Sequence, residues 1–159
     1  MDHTPIPPEL FTTILRSVPI CTVDVLFFNK KMDKIVLFKR NNDPLRDVYF
    51  SMGGRLLKNE TMLDCAKRQI RREVGINPVE VDLEMGGVQE EIHDSSAFDN
   101  ATYHAIAIFY YCVVDEDGFQ PTLDTQHEDS KWFPINDEGI HPLIRSRIDK
   151  IIKNYEKGL

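Results

Sequence analysis

Apolar residues recur along the chain with two different periods, and each period predicts a different kind of element. Spacings of three and four place side chains on one face of a helix and predict helices over residues 9–17, 60–74 and 143–157. Apolar, β-branched runs predict strands over 20–29, 35–40, 79–88 and 102–114, with short extended segments at 48–52 and 131–133. Asn59 is expected to cap the second helix and Gly75 to end it.

The order of these elements predicts one domain over residues 1–159, of the α+β class. Helices and strands alternate in a way that is typical of an α/β/α sandwich with a mixed sheet between two helical layers. A polar stretch over 90–101 separates two predicted strands, and we expect it to form a loop near an opening.

Charge and composition narrow the possible partners. The formal net charge is −7 and the pI is near 5.2, which argues against broad binding to nucleic acid or to an anionic membrane. The longest apolar run, 105–114, is half the roughly 20 residues that a membrane-spanning helix needs. The chain start lacks the pattern of a signal peptide, and three widely spaced cysteines fit reduced thiols. We therefore expect a cytoplasmic protein that binds neither nucleic acid nor membrane.

One segment, 54–76, carries the strongest functional signal. Its fixed-offset residues are Gly54, Glu60, Arg68, Ile70, Glu73, Gly75 and Ile76. This spacing resembles the Nudix box without a gap, and the resemblance implies the Nudix fold. Glu60, Asp64 and Arg68 are four residues apart, so they can pair and brace the glycine turn against the helix.

The segment departs from the Nudix pattern at two positions. Gln69 and Arg72 stand where the pattern has glutamates, so positions 69, 72 and 73 carry no net charge instead of −3. A cluster of Mg2+ ions needs close anionic ligands, and this helix face offers only Glu73. We expect one tightly held ion at most. The competing interpretation is that the motif is a relic that has lost its activity.

The departure points to one branch of the family, the GDP-mannose mannosyl hydrolases. The likeness extends to Phe11, Thr13, Arg16, Ser17 and Pro19 near the start, to Lys39 and Arg40, and to 124–129 followed by Trp132. It implies that Gly53, Glu73 and Gln126 bind one Mg2+ per active site, with Mn2+ able to replace it. It also implies a homodimer.

The same resemblance implies further roles. His127 would be the general base, Arg40, Arg55 and Arg68 would contact or organise the diphosphate, and Asp24 would lie near the sugar. The reaction would be attack of water on the anomeric carbon of GDP-mannose, giving GDP and mannose with inversion. This chemistry suits the residues, because a charge-neutralised GDP is a good leaving group and a histidine can activate water at neutral pH.

Several positions keep two interpretations. The branch has a histidine near Glu91 and a tyrosine at Ala105, and His93 or Tyr103 could compensate at the substrate site. Asp24 is either a ligand contact or the solvent face of a strand, and His127 is either catalytic or a solvated loop residue. Three further sets of residues also keep two interpretations. Glu90, Glu91, His93 and Asp94 form either a second metal site or a polar loop. Arg71 and Arg72 either bind phosphate or carry outward-facing charge, and Trp132 either packs in the core or stacks on guanine.

Two rival functions remain from the sequence. One is an ordinary Nudix pyrophosphohydrolase that cleaves the diphosphate of a substrate such as ADP-ribose. The other is a non-catalytic sensor that binds a nucleotide sugar without turnover.

Overall fold

The computed structural model describes residues 5–98, 100–123 and 127–158, and within them three α-helices and seven strands. In chain order these are α1 (Pro8–Ser17), β1 (Ile20–Asn29), β2 (Lys34–Arg40), β3 (Tyr49–Phe50), β4 (Met52–Arg55), α2 (Met62–Gln69), β5 (Glu84–His93), β6 (Tyr103–Val114), β7 (His127–Pro134) and α3 (Pro142–Gly158). A π-helical turn, Ile70–Val74, prolongs α2, and a 3-10 turn, Pro78–Glu80, precedes β5.

The strands form one mixed sheet with the order β3-β2-β1-β6-β5. Strand β1 runs parallel to β6 over its whole length and antiparallel to β2 and β4. Strand β7 adds antiparallel to β2, and β5 adds antiparallel to β6. Strand β1 is therefore the central element, which explains why nearly all its residues are buried.

Alternate residues of β1 point to opposite faces of the sheet, and each face has its own core. Val23, Val25 and Phe27 pack on one face with residues of α2 and the π turn. Leu26 and Phe28 pack on the other face with residues of α3. The predicted α+β class and the α/β/α sandwich with a mixed sheet are thus confirmed.

Helix α2 begins two residues later than predicted. Thr61, not Asn59, is the N-cap, and its hydroxyl accepts a hydrogen bond from the Asp64 amide at 3.1 Å. Asn59 has φ 65° and forms part of the preceding turn. The far end agrees with the prediction, since Gly75 has φ 68° and stops the helical segment in the left-handed region.

The prediction is also wrong at the start of β5. Residues 78–80 form a 3-10 turn rather than a strand, because Pro78 stands at its first position and Asn77 caps it. The strand runs from Glu84 to His93 and takes in the first part of the expected polar loop. This change places Glu91 and His93 on the sheet. No helix among the described residues has the length and apolar character needed to cross a membrane.

Candidate active site

A cavity of about 360 Å³ opens beside the glycine turn of the motif. Its walls come from α1, the first residues of β1, the segment between β2 and β4, the helix of the motif and the end of β5. The described lining residues used below are Phe11, Asp24, Arg40, Phe50, Ser51, Gly53, Gly54, Arg55, Arg68, Gln69, Arg72, Glu91, His93 and Tyr103. The cavity lining therefore contains most of the residues that the sequence analysis assigns to the functional site.

The two glycines of the turn allow the backbone to approach its neighbours closely. A Cβ atom on Gly53 would lie 2.2 Å from Oδ1 of Asp24, and one on Gly54 would lie 2.2 Å from the side-chain amide of Gln69. Neither position has room for a side chain. Strand β4 is therefore pressed against Asp24 on one side and the motif helix on the other.

An ion pair fixes this turn to the helix, as the spacing predicts. Arg68 donates to both carboxylate oxygens of Glu60, at 2.6 and 2.9 Å, and to the Arg55 carbonyl at 3.0 Å. Hydrogen bonding to Arg68 holds the pKa of Glu60 below its ordinary value, although burial acts in the opposite direction. Asp64 takes no part in this pair, because it bonds Thr61 instead. Arg68 therefore organises the turn at the cavity wall.

The helix face that would carry the three glutamates of the motif carries one carboxylate. Glu73 is 1% exposed, and Gln69 beside it is 2% exposed. With the Gln69 amide oriented so that both its ends are satisfied, its nitrogen donates to Oε1 of Glu73 at 2.5 Å and its oxygen accepts from Arg68 at 3.2 Å. Arg71 and Arg72 are both exposed, but Arg72 lines the cavity and Arg71 does not, which gives geometric support to phosphate binding by Arg72.

His127 lies near the carboxylate oxygen of Glu73 that Gln69 does not contact. Its Nδ1 is 3.9 Å from Oε2 of Glu73, and its ring packs against Phe38. The residue begins β7 and is buried, so the solvated-loop interpretation is wrong. It is not among the described residues that line the cavity. Gln126, the other predicted residue of this segment, lies outside the described residues.

Arginines dominate one end of the cavity. Arg55 stacks on the ring of Phe11, with its Cζ 4.1 Å from the ring centroid. Arg40 donates to the Pro44 carbonyl at 2.9 Å and to Asn42 at 3.2 Å. These contacts hold both guanidinium groups in place at the wall, where Arg72 also stands. Such an end is suited to a di-anionic ligand such as a diphosphate.

Carboxylates form another part of the wall, called the acidic end below, and Tyr103 lies within electrostatic reach of both these carboxylates and the arginines. Asp24 is buried, so it is not on a solvent face of β1, and it lines the cavity with Glu91 and His93. Nε2 of His93 is 3.5 Å from a Glu91 oxygen. Burial, together with the negative charges of Asp24 and Glu91, outweighs the opposing charges of Arg40 and Arg55 and raises the pKa of Tyr103 to about 12, so its hydroxyl keeps its proton.

Arg147 lies behind this end and was not expected there from the sequence. Its guanidinium contacts Asp24, Ser51 and Glu91 from helix α3, and it is completely buried. A signal for it existed. Arg147 lies three residues after Ile144 and four before Ile151, which places it on the apolar face of the predicted helix. A buried cation there requires a buried anion elsewhere, and Asp24 within an apolar strand was the obvious candidate.

The positions of Glu90 and Trp132 decide between the interpretations that the sequence allows for them. Glu90 pairs with His104 at 2.9 Å outside the cavity lining, while Glu91 turns inward, so the two glutamates do not converge on a second metal site. No group of three or more His, Cys, Asp and Glu residues suited to a metal occurs within 5–98, 100–123 and 127–158. Trp132 packs against Phe119 on the α2 side of the sheet, which supports the core interpretation.

Comparison with known proteins assigns the family. The model of the NUDIX domain matches residues 19–155, which is most of the chain. The chain is a Nudix hydrolase. Its family acts on nucleoside diphosphate derivatives and generally uses a divalent metal ion, which agrees with an arginine-rich cavity beside a buried glutamate.

Two relatives of this Nudix hydrolase have names that indicate different functions. It is 30% identical over 149 residues to the low-salt glycan biosynthesis protein Agl8 of Haloferax volcanii, covering 93% of this chain and 92% of that protein. It is 26% identical over 137 residues to the ADP-ribose pyrophosphatase of Methanocaldococcus jannaschii, covering 86% and 73% respectively.

Solved structures agree on the fold. The dihydroneopterin triphosphate pyrophosphohydrolase of E. coli superimposes with a TM-score of 0.67 at 17% identity, over 87% of this chain and 99% of that one. The MutT NUDIX hydrolase of Burkholderia pseudomallei gives 0.65 at 19% identity, over 85% and 99%. At these identities the likeness establishes the Nudix fold and leaves the substrate to the site itself.

Proposed function

We propose that this Nudix hydrolase cleaves a GDP-sugar, with GDP-mannose as the expected substrate, to GDP and the free sugar by attack of water on the anomeric carbon with inversion. The observation that carries the proposal is the helix face on which Glu73 is the one carboxylate, with Gln69 bonded to it and the exposed Arg72 at the cavity wall. The similarity to a glycan biosynthesis protein supports a sugar-nucleotide substrate.

The residues present fit one Mg2+ ion rather than a cluster. Magnesium prefers oxygen ligands and is commonly held by one or two carboxylates together with substrate phosphates and water. Glu73 supplies a buried carboxylate, and we assign the Gly53 carbonyl and Gln126 as its companions, of which Gln126 lies outside the described residues. The ion, when bound, would neutralise charge that develops on the leaving diphosphate. Mn2+ has the same ligand preference and is expected to replace it.

The arginines of the cavity also stabilise the negative charge of the leaving group. Arg40, Arg55 and Arg72 line the end that a diphosphate would occupy, and Arg68 holds the Arg55 carbonyl in position. Positive charge fixed in place before substrate arrives stabilises an anionic leaving group without reorganisation. With its charge neutralised, GDP can depart without a protein acid, so no carboxylic acid is needed beside the scissile oxygen.

His127 is the proposed general base. Its ring lies beside Glu73, the carboxylate assigned to the ion, which supports a role near the reacting atoms. Histidine is the side chain that most often accepts the proton of an activated water in catalysis. Because the ring is buried, the proposal requires a water path to it in the substrate complex.

A second candidate is diphosphate cleavage, favoured by the similarity to an ADP-ribose pyrophosphatase. In that reaction water attacks phosphorus and the products are a nucleoside monophosphate and a sugar phosphate. The charge on the motif face argues against it, since Arg72 replaces a glutamate there. The homodimer and the cytoplasmic location implied by the branch likewise stay proposals.

Product analysis in 18O-labelled water separates the candidates. The protein is incubated with GDP-mannose and Mg2+, and the products are identified by mass spectrometry. Label in mannose, with unlabelled GDP, supports attack on carbon. GMP and mannose 1-phosphate would overturn the proposal in favour of diphosphate cleavage. ADP-ribose is run in parallel, and absence of turnover with both and with further nucleotide sugars would point to a sensor.

A further inference from the structure

Helix α3 contributes a buried cation to the wall behind the cavity. Arg147 is 0% exposed, and its Nη1 donates to Asp24 at 2.6 Å and to Ser51 at 2.8 Å. Its Nη2 donates to Glu91, and its Nε donates to Gln89 at 2.8 Å. One guanidinium therefore ties α3 to β1, β5 and the residue between β3 and β4.

The two carboxylates on Arg147 form part of the cavity wall, whereas Arg147 itself does not. Asp24 and Glu91 both line the cavity, next to His93 and Tyr103. Arg147 reaches them from behind, between the rings of Phe50 and Phe109, with its Cζ 5.3 and 5.4 Å from their centroids. It can thus act on a ligand only through the groups that it holds.

Arg147 fixes the direction of both carboxylates through its hydrogen bonds, and its charge offsets the cost of burying them. Burial raises the pKa of Asp24, and the charge on Arg147 works against that shift. Burial also opposes ionisation of Glu91, but bonding to His93 and the charge on Arg147 outweigh it and hold its pKa below the usual value. Ser51 completes the arrangement by donating to the same Asp24 oxygen at 2.9 Å.

The cavity wall therefore offers two kinds of charged group to a ligand. Arg40, Arg55 and Arg72 attract anionic groups. A carboxylate only accepts hydrogen bonds and repels anions, so Asp24 and Glu91 favour a neutral group rich in hydroxyls. Tyr103, which keeps its proton and lies within electrostatic reach of both sets, adds a hydrogen-bond donor.

We propose that Arg147 is a positioning residue for substrate specificity, which holds Asp24 and Glu91 so that they accept hydrogen bonds from the hydroxyls of a neutral sugar. This inference rests on the proposed nucleotide-sugar substrate. Helix α3 supplies no described residue to the cavity lining. Under this proposal it nevertheless controls which group attached to the diphosphate the cavity accepts.

The test compares GDP with a ligand that carries a sugar on the same nucleotide. Dissociation constants are measured by calorimetry with Mg2+ for GDP and for the GDP-mannose analogue in which a methylene replaces the anomeric oxygen. The ligands also differ in phosphate charge and in the methylene, but these differences are the same for every protein, so a change in the ratio of the two constants between variant and wild type reports a change in what the sugar contributes. The variants are Arg147→Lys, which keeps one charge but loses the guanidinium fork, and Gln89→Met, which removes a partner of Arg147 outside the cavity lining.

Arg145→Lys serves as the matched control. Arg145 lies on the same helix and donates to the carbonyls of Ile135 and Asp137, away from the cavity. We expect Arg147→Lys to weaken binding of the analogue by roughly tenfold to a hundredfold, as the loss of charged hydrogen bonds to a ligand does, while GDP binding stays unchanged. Gln89→Met should act in the same direction more weakly, and Arg145→Lys should leave the ratio at the wild-type value.

A purely structural role gives a different result. If Arg147 only anchors α3, the variants lower the melting temperature but weaken both ligands equally or neither, which would overturn the inference. The labelled-water experiment tests the proposed function separately. GMP and mannose 1-phosphate as products would contradict attack on carbon, but they would leave the dependence of sugar binding on Arg147 intact.

Discussion

The brace of the glycine turn and the acidic end of the cavity are built in different ways. The brace comes from residues close together in sequence, since Glu60, Arg68 and the Arg55 carbonyl lie within 14 positions and make one connected set of hydrogen bonds. The acidic end joins Asp24, Glu91 and Arg147, whose contacts span 56 to 123 positions. The brace depends on a local motif, and the acidic end depends on the whole sandwich.

This difference separates binding of the phosphates from choice of the sugar. A local motif can form wherever its helix and turn form, and it brings Arg55 and Arg72 to the cavity, where Arg40 from β2 adds a third positive charge for a diphosphate. The acidic end exists only when α3 packs on the sheet and brings Arg147 between β1 and β5. Specificity is therefore expected to be more sensitive than diphosphate binding to changes in the packing of α3.

The largest expected effect tests the chemistry next to the motif. His127→Gln should lower turnover of GDP-mannose by roughly 10²–10⁴-fold, because the proton acceptor is lost, with little change in KM. His104→Gln is the control, since that histidine pairs with Glu90 outside the cavity. Steady-state kinetics and a melting curve are recorded for each variant. A normally folded His127→Gln protein with a near wild-type rate would remove His127 from the mechanism.

The next effect tests the acidic end, whose contacts join residues far apart in the sequence. Arg147→Met should destabilise the protein by roughly 3–5 kcal/mol, because Asp24 and Glu91 would be left buried without their cation. Denaturant unfolding measures the change. Arg145→Met, whose partners are neutral carbonyls, should cost clearly less. Adding Asp24→Asn and Glu91→Gln to Arg147→Met should recover stability; failure to recover would mean that packing, not charge, dominates.

The third prediction concerns the missing carboxylates of the motif. Gln69→Glu combined with Arg72→Glu should raise the number of Mn2+ ions bound in a titration, because two anionic ligands return beside Glu73. Arg71→Glu is the matched control, since it makes the same charge change as Arg72→Glu on an exposed side chain outside the cavity. An unchanged ion count in the double variant would show that these positions do not set it. Glu73→Gln alone should weaken Mn2+ binding.

The smallest effect tests the brace of the glycine turn. The pKa of Glu60 is lower in the folded protein than its ordinary value of 4.5, so the Glu60–Arg68 pair stabilises the fold fully above that value. This contribution is lost as the pH falls through the lowered folded pKa. Glu60→Gln should therefore cost about 1 kcal/mol at pH 7 and show less loss of stability below pH 4.5 than the wild type. Parallel pH profiles for the two proteins would contradict this.

The sequence predicts the local parts of this molecule well and the assembled parts poorly. The three helices, the central strand β1 and the Glu60–Arg68 pair follow from spacing, because they depend on neighbours along the chain. The helix cap moved by two residues because Thr61 bonds the Asp64 amide, which spacing alone does not distinguish from capping by Asn59. Identities at positions 69 and 72 were enough to predict a reduced charge on the motif face.

The acidic end was hidden for a physical reason. Burial of Asp24, Glu91 and Arg147 depends on which strands become neighbours, and β5 extends to His93 only because it pairs with β6. The polar stretch at 90–101 therefore looked like a loop, although its first residues lie in a sheet. A charged residue on the apolar face of a predicted helix is the signal that would have identified Arg147.

The stereochemistry of the first sugar released tests the central claim most directly. Proton NMR follows the anomeric signal of mannose during the early turnover of GDP-α-mannose, before the free sugar equilibrates. Attack of water on the anomeric carbon with inversion predicts β-mannose as the initial product, together with GDP. Initial release of α-mannose, or of mannose 1-phosphate with GMP, would contradict the account.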